Sequence, residues 1–409
     1  MIDFETALKT IISSVPQMRA ETIAVKESLG RYCAETVRSK TNLPDFDNSA
    51  MDGFAVNSAR LLGARESSPV LLRITGEIRA GDSPNKTVVR RLTALKIFTG
   101  APVPRGADSV VKIEEVKVIK SGAAQFVKIS RPIKKHENVR FSGENVKEGQ
   151  KIVRRGSKIR PQEIGLLLQA GVTRVAVAKR PRVAVLTTGD ELVQPGKKPG
   201  PGKIVNVNSF TIAGEAALAG GIPIDMGIAR DNLLDMRKKV GRALEAADVL
   251  VVSAGISVGE YDYVKKVFAE YKVREKFWKV RQRPGEPLYF GKSGRVSVFG
   301  LPGNTVSSMV CFREYIRPAL LKMQGAAEFL PIEIGAYLEE PVSVKPGRRY
   351  FLRGVARLEG GKFFVKTTGE QGSGILKSMV DSNCLIIIPE NVRALGPGQT
   401  VSIQLFMDS

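Results

Sequence analysis

Three short apolar runs, each emptying into a loop of small and polar residues, limit what this chain can fold into. Val183, Ala184, Val185 and Leu186 follow Pro181 and end in Thr187-Thr188-Gly189-Asp190-Glu191. Val249 to Val252 leads into Ser253-Ala254-Gly255-Ile256-Ser257-Val258-Gly259-Glu260, and Val296 to Phe299 leads into Gly300-Leu301-Pro302-Gly303-Asn304-Thr305. Each run is too short for a helix. An unbroken apolar run of this length reads as a strand buried on both faces, the habit of parallel sheets. Helix-compatible segments follow each loop. Open α/β sheets bind ligands beyond the carboxyl ends of their strands. Ordinary strand-to-helix loops also favour Gly, Ser and Asp. One such loop would be a connection; three of them predict a site.

The flanks read differently. Residues 1 to about 20 carry Phe4, Ala7, Leu8, Ile11 and Ile12 on one helical face, and Ile23 to Leu29, closed by Gly30, reads as a second helix. Thr41 to Phe54 is too rich in turn formers for the interior of an element and reads as an ordered loop. Residues 56 to 140 hold short alternating runs spaced as in a small barrel or sandwich. Gln162 to Ala170, preceded by Pro161 and stopped by Gly171, reads as a helix. Thr305 to Leu321 reads as one long helix, and residues 331 to 409 return to short β runs, a separate all-β unit. A chain of 409 residues has room for two to four such units.

Charge narrows the choice of partner. Lys and Arg number 63 against 41 acids, a net +22, which points to an anion. No nucleic-acid-binding motif is present and aromatic residues are only 6% of the chain, so nucleic acid is set aside. The basic residues cluster in 112–160 and in 265–295, and the second block flanks the sheet loops. A phosphorylated small molecule or an oxyanion fits that placement, and a solvated lysine-rich surface accounts for part of the excess. No run approaches the ~20 apolar residues of a membrane span, and the first residues lack the pattern of a signal peptide, so a cytoplasmic protein is expected. Cys33, Cys311 and Cys384 are scattered and read as small buried residues.

With a single histidine, His136, the chain offers no Ser-His-Asp or Cys-His arrangement. Acids remain. Asp190, Glu191, Asp231 and Asp262 sit at or just past predicted strand ends, where carboxylates could hold Mg²⁺ or could cap helices. Gly255, Gly259 and Gly303 would let backbone N–H groups approach an anion. Lys279 and Arg283 add positive charge, Arg283 as a planar fork, unless both are merely surface residues. Asp52, wrapped by Ala50, Met51 and Phe54, is a turn former or a catalytic or metal-holding carboxylate.

Eight stretches, in order along nearly the whole chain, resemble the molybdopterin molybdenumtransferases, the molybdenum-insertion enzymes akin to the E domain of gephyrin. They are NSAMDGFAV, FTGAPVPRGADSVV, TTGDEL, VNSFTIAGEAALAGG, SVGEYDYVKKV, FWKVRQRPGEPLYFG, GLPGNTVSS and QGSGILKSMVDSNCLIIIPE. The resemblance implies a multidomain α/β plus β fold. Residues 1–20 and 174–326 would form a parallel-sheet α/β domain of molybdopterin-binding type. Residues 21–45 and 140–173 would form a central linking domain, 46–139 an inserted β-rich lobe and 327–409 a C-terminal β-barrel. It implies a homodimer whose active site joins the α/β domain of one subunit to the β lobe of the other. The implied reaction inserts molybdate, or tungstate, into adenylylated molybdopterin with Mg²⁺-dependent hydrolysis of the adenylyl phosphoanhydride. A molybdopterin adenylyltransferase would be a partner. Asp52 and Thr99 would be catalytic; Asp190, Glu191, Asp231 and Asp262 would hold metal. Ser253, Gly255, Gly259, Lys279, Arg283, Pro302, Gly303 and Asn304 would bind substrate. The chain departs from the commoner pattern at Asn145, Ala254, Glu286 and Thr305. Two alternatives remain beside this reading: a scaffold or altered-specificity paralogue that binds molybdopterin, and a molybdopterin adenylyltransferase.

Overall fold

The computed structural model describes residues 1–83, 85, 87–255 and 263–406. Gly259 and Asp262 lie outside them. The first helix, α1 (Phe4–Ser14), starts where the Asp3 carboxylate accepts from the Thr6 amide at 2.7 Å. It buries Phe4, Ala7 and Ile11 in a core built from residues 183–323 together with Phe351, Met379, Leu385 and Ile387. The helix expected at Ile23–Leu29 is instead a strand, Ala20–Ala24, and a single 3₁₀ turn, Val25–Glu27. The strand pairs antiparallel with Arg174–Ala178, Ile23 opposite Val175. That distant partner supplies a ladder, and the ladder overrides local helix propensity. Residues Val25, Cys33, Val153, Ile159 and Leu167 pack behind this pair. Pro161 opens α2 (Pro161–Gln169), where Glu163 accepts from the Arg160 amide at 2.9 Å.

Between these central pieces stands a six-stranded sheet. Its order is Ser109–Lys112, Gly53–Val56, Thr93–Ile97, Val70–Ile78, Ala124–Ile129, Lys117–Ser121. Gly53 faces Ile97 in an antiparallel pair, so Asp52 just before one strand meets the residues just after the other. A Cβ on Gly53 would collide with the Val111 carbonyl of the neighbouring strand, which fixes glycine at that position.

The α/β sheet has six strands: β1 (Arg182–Thr188), β2 (Ile222–Ala229), β3 (Val249–Ser253), β4 (Arg274–Trp278), β5 (Tyr289–Ser293) and β6 (Val296–Leu301). Their spatial order is β2-β1-β3-β6-β5-β4; the first four are parallel, β5 is antiparallel to β6, and β4 is antiparallel to β5. Successive β1 residues feed opposite faces. Val183 and Val185 join the core that holds α1, α3 (Asn208–Leu218) and the helical run from Thr305. Ala184 and Leu186 join the core under α4 (Leu233–Ala246) and α5 (Tyr263–Glu270). That double burial is why the run is apolar throughout. The long helix expected at Thr305–Leu321 is a continuous run in three parts: α6 (Thr305–Cys311), a π segment (Phe312–Ile316) and α7 (Arg317–Met323). Pro318 has no N–H for the carbonyl one turn back, and the run widens just before it.

Strands Ile334–Leu338, Arg349–Glu359, Lys362–Thr367, Cys384–Ile388 and Thr400–Leu405 close into a five-stranded barrel, with Leu338, Val365, Ile386, Ile388 and Ile403 inside. Gln282–Arg283 adds to its edge beside Arg349–Tyr350 and ties the barrel to the α/β sheet. The expected combination of a parallel-sheet domain, a β-rich lobe, a central linking part and a C-terminal barrel is the observed fold. Among the described residues, no helix is long and apolar enough to cross a membrane.

Candidate active site

A cavity of about 470 Å³ opens at the carboxyl ends of β1, β3 and β6. Thr187, Thr188, Glu191, Ser253, Gly255, Pro302, Gly303, Asn304 and Thr305 line it, so the three loops do converge. Asn208, at the first turn of α3, organises them. Its Nδ2 donates to Ser253 Oγ at 2.8 Å and to the Gly303 carbonyl at 2.6 Å, and its Oδ1 accepts from Thr305 Oγ1 at 2.7 Å. Asn206 adds a second tier, donating to Thr187 Oγ1 at 3.0 Å and Ser209 Oγ at 2.9 Å. The first turns of α3 and α6 both border the cavity, and helix N-termini present unpaired backbone N–H groups to anions. Gly255 takes φ +69°, and a Cβ there would press on Val264 and on Thr188 Oγ1 at the cavity floor.

The acids sit to one side. Asp190 and Asp231 clasp each other: the Asp190 amide donates to Asp231 Oδ2 at 3.1 Å, and the Asp231 amide to Asp190 Oδ1 at 3.3 Å. Both are exposed. Glu191 reaches the cavity wall. Among the described residues no group of three or more potential ligands could hold a metal ion. Two carboxylates alone still suit Mg²⁺, which usually takes one or two from protein and the rest from water and phosphate.

The positive charges are elsewhere. Among the described residues lining this cavity, Glu191 is the only one that bears charge. Lys279 lies with its ammonium 4.4 Å from the Trp278 ring centre and is not in the wall. Arg283 lines a second cavity of about 420 Å³, together with Pro284, Lys345, Tyr350, Arg353 and Gln371. The two cavities are neighbours: Pro284 walls one and Pro287 the other, and Asn304 Nδ2 donates to Ser373 Oγ at 2.8 Å across the seam. Arg353 is fully buried on the barrel strand Arg349–Glu359. Its guanidinium donates to Ser378 Oγ at 3.0 Å and to the Gly372 carbonyl at 3.2 Å, and no carboxylate pairs with it among the described residues. Desolvation pulls its pKa down to about 10. A buried cation without a counter-ion favours an incoming anion. Glu286 is neutralised by Arg348 at 2.6 Å.

Asp52 and Thr99 meet on the β lobe. The Thr99 amide and hydroxyl donate to Asp52 Oδ1 at 2.7 and 2.8 Å. Those bonds, the backbone one foremost, hold the exposed carboxyl below its ordinary pKa. Among the described residues, no hydrogen bond or ion pair joins residues 46–139 to residues 174–326. Sequence reasoning missed Asn206, Asn208 and Arg353. The first two are visible as paired Asn in Val205-Asn206-Val207-Asn208-Ser209 before a helix, but Asn there also reads as a cap.

Three family models tile the chain: "MoeA N-terminal region (domain I and II)" over residues 2–171, "Probable molybdopterin binding domain" over 184–322 and "MoeA C-terminal region (domain IV)" over 335–406. A molybdopterin molybdenumtransferase of Haemophilus influenzae is 34% identical over 99% of both chains. The chain belongs to the molybdopterin molybdenumtransferase family. A second family member, from Staphylococcus aureus, is 32% identical over 99% of this chain and 95% of its own. The solved molybdopterin biosynthesis MoeA protein of Pyrococcus horikoshii OT3 superposes with a TM-score of 0.84 at 29% identity, covering 99% of this chain and 100% of that one. These curated relatives are enzymes by name. Within this family frame, the three matched regions each supply part of the geometry above. Residues 2–171 hold Asp52 and Thr99, residues 184–322 hold the first cavity, and residues 335–406 hold Arg353 and Ser373.

Proposed function

We propose that this chain inserts molybdate, or tungstate, into adenylylated molybdopterin and hydrolyses the adenylyl phosphoanhydride. The observation that carries the reading is a pair of adjoining cavities of opposite character. One is polar, without a cation in its described lining, and faced by helix N-termini, which suits a phosphorylated pterin and its adenylyl group. The other is cationic, with Arg283, Lys345 and a buried Arg353, which suits a tetrahedral oxyanion. The seam between them, Asn304 and Ser373, would set the dithiolene beside the metal oxyanion.

Asp190 and Asp231 would hold Mg²⁺, with Glu191 and Asp262 as further candidates; bound there, the ion would offset charge on the phosphates. Ser253, Gly255, Gly303 and Asn208 would orient the nucleotide-tagged pterin and exclude water from it. Asp52 and Thr99 would come from the second subunit of a homodimer. Asp52, kept ionised by Thr99, would accept a proton from the attacking water. A new P–O bond then forms, the anhydride P–O bond breaks, and AMP leaves. Gly259 and Lys279 would also contact substrate. A molybdopterin adenylyltransferase would supply the substrate.

The test is incubation of the purified protein with adenylylated molybdopterin, Mg²⁺ and molybdate or tungstate. AMP release that requires the oxyanion is expected. Tight pterin binding without AMP release would overturn the transferase reading in favour of a scaffold.

A further inference from the structure

A third cavity, of about 400 Å³, lies where the α6–α7 run, the central residues Tyr32 and Lys158 and the barrel strand Thr400–Leu405 meet. It shares no lining residue with the two cavities above. Thr305 borders the first cavity and Glu314 this one, nine residues further along the same run, roughly 14 Å by helical rise.

Glu314 belongs to the π segment and is 1% exposed. Its Oε2 accepts a long bond from Gln404 at 3.4 Å, and its Oε1 meets no donor among the described residues. An unpartnered buried carboxyl oxygen costs about 1–3 kcal/mol and calls for a reason. π segments inside helices frequently mark functional positions. Burial raises the Glu314 pKa to about 7, with Glu333 adding to the rise and Gln404, Arg349 and Arg313 opposing it. The group is thus poised between its neutral and charged forms at neutral pH.

Arg317 lies three residues on, in the same cavity wall, and makes no ion pair or hydrogen bond among the described residues. Side chains three apart on a helix are neighbours, with Cβ atoms about 5–6 Å apart. Lys158 adds a further cation at the rim, Arg313 in the wall is already paired with Glu215 at 2.8 Å, Glu328 is a second, exposed acid of the lining, and Leu330 and Ile332, both exposed, give the cavity an apolar side. An acid and a base one turn apart, beside an apolar wall, match a molecule that carries both charges on one short backbone.

We propose that this cavity binds a small zwitterion with an apolar body, an aliphatic or aromatic α-amino acid, its ammonium on Glu314 and its carboxylate on Arg317 and Lys158. A simple carboxylate would leave Glu314 Oε1 unmatched, and a simple amine would leave the Arg317 guanidinium unmatched. The assignment goes beyond the transferase reading and stands whichever reaction the other cavities run.

Isothermal titration of the full chain at pH 7 with L-leucine and L-phenylalanine tests it, with 4-methylpentanoate and 3-methylbutylamine as single-charge controls. At least one amino acid binds, roughly tenfold or more tighter than either control, since both of its charge-assisted bonds contribute. Glu314 gives up its proton on pairing with the ammonium, so the measured heat changes with the ionisation enthalpy of the buffer. Glu314→Gln keeps the size of the neutral side chain, weakens binding by roughly tenfold and removes the buffer dependence. Arg317→Gln, at the half-buried rim, weakens binding similarly and covers the case in which the Glu314 variant does not fold. No heat from either amino acid at millimolar concentration, equal binding of the controls, or binding untouched by both substitutions would each overturn the proposal.

Discussion

The cavity at the sheet edge and the Asp52 turn on the β lobe are built on opposite plans. In the cavity, Asn208 is 9% exposed and Ser253 1%, and each polar side chain answers to another loop. On the lobe, one exposed carboxylate rests on two donors from a neighbouring strand end. Folding and function are therefore fused in the first place and separable in the second. A buried donor that loses its partner carries the full desolvation penalty, whereas an exposed one turns to water.

The sharpest break between the two plans comes from Asp52→Ala. AMP release should fall on the order of 10²-fold or more if the carboxylate is a base, with the thermal unfolding midpoint unchanged. Normal turnover would remove Asp52 from the chemistry. A mixture sharpens the point: Asp52→Ala and Asp231→Ala subunits, each inactive alone, should recover roughly a quarter of wild-type rate when reassorted, as expected for a site shared across a two-fold dimer. No recovery would place both residues in one subunit's site. On the other plan, Asn208→Ala should cost about 1–3 kcal/mol of stability together with pterin affinity, because Ser253, Gly303 and Thr305 lose their common partner. Denaturant unfolding and pterin titration read the two losses.

A subtler contrast lies in pH. Thr99 depresses the Asp52 pKa, so the carboxylate stays ionised into more acidic solution than a free one and is lost only as pH falls through the depressed value. Thr99→Val removes the hydroxyl donor, and the acid limb of kcat/KM should move to higher pH. An unmoved limb would assign it to another group. The smallest effect expected is from Ala254→Gly. Ala254 holds φ +73° at the cavity rim, a conformation that costs a residue with a Cβ about 1–2 kcal/mol. Glycine relieves this but has more freedom to lose on folding, so chemical denaturation should show a net gain under about 1 kcal/mol.

What could be read in advance follows the same division. Buried strands announce themselves, because burial on both faces demands an unbroken apolar run, and their loops followed at once. The Ile23–Leu29 stretch misled because its strand partner, Arg174–Ala178, is some 150 residues away, and no local pattern carries that pairing. Arg353 is hidden for a related reason. In Arg349-Tyr350-Phe351-Leu352-Arg353 it looks like the solvent-facing member of an alternating strand, and it does face out of the barrel; only the segment holding Gly372 and Ser378, folded over that outer face, buries it. The basic block around 265–295 suggested cations in the first cavity. The structure gives Arg283 to the second, and Arg281 to Glu390 at 3.1 Å.

The seat of α1 has a consequence for how the molecule is made. Ile2 bridges to Val280, and Lys322 reaches back to the Ile12 carbonyl at 2.8 Å. Residues that leave the ribosome early must therefore wait, apolar face uncovered, until some 300 later ones have been synthesised. During that wait the emerging chain carries an unsatisfied greasy ridge, and chaperones or premature pairing with another nascent copy would find it first.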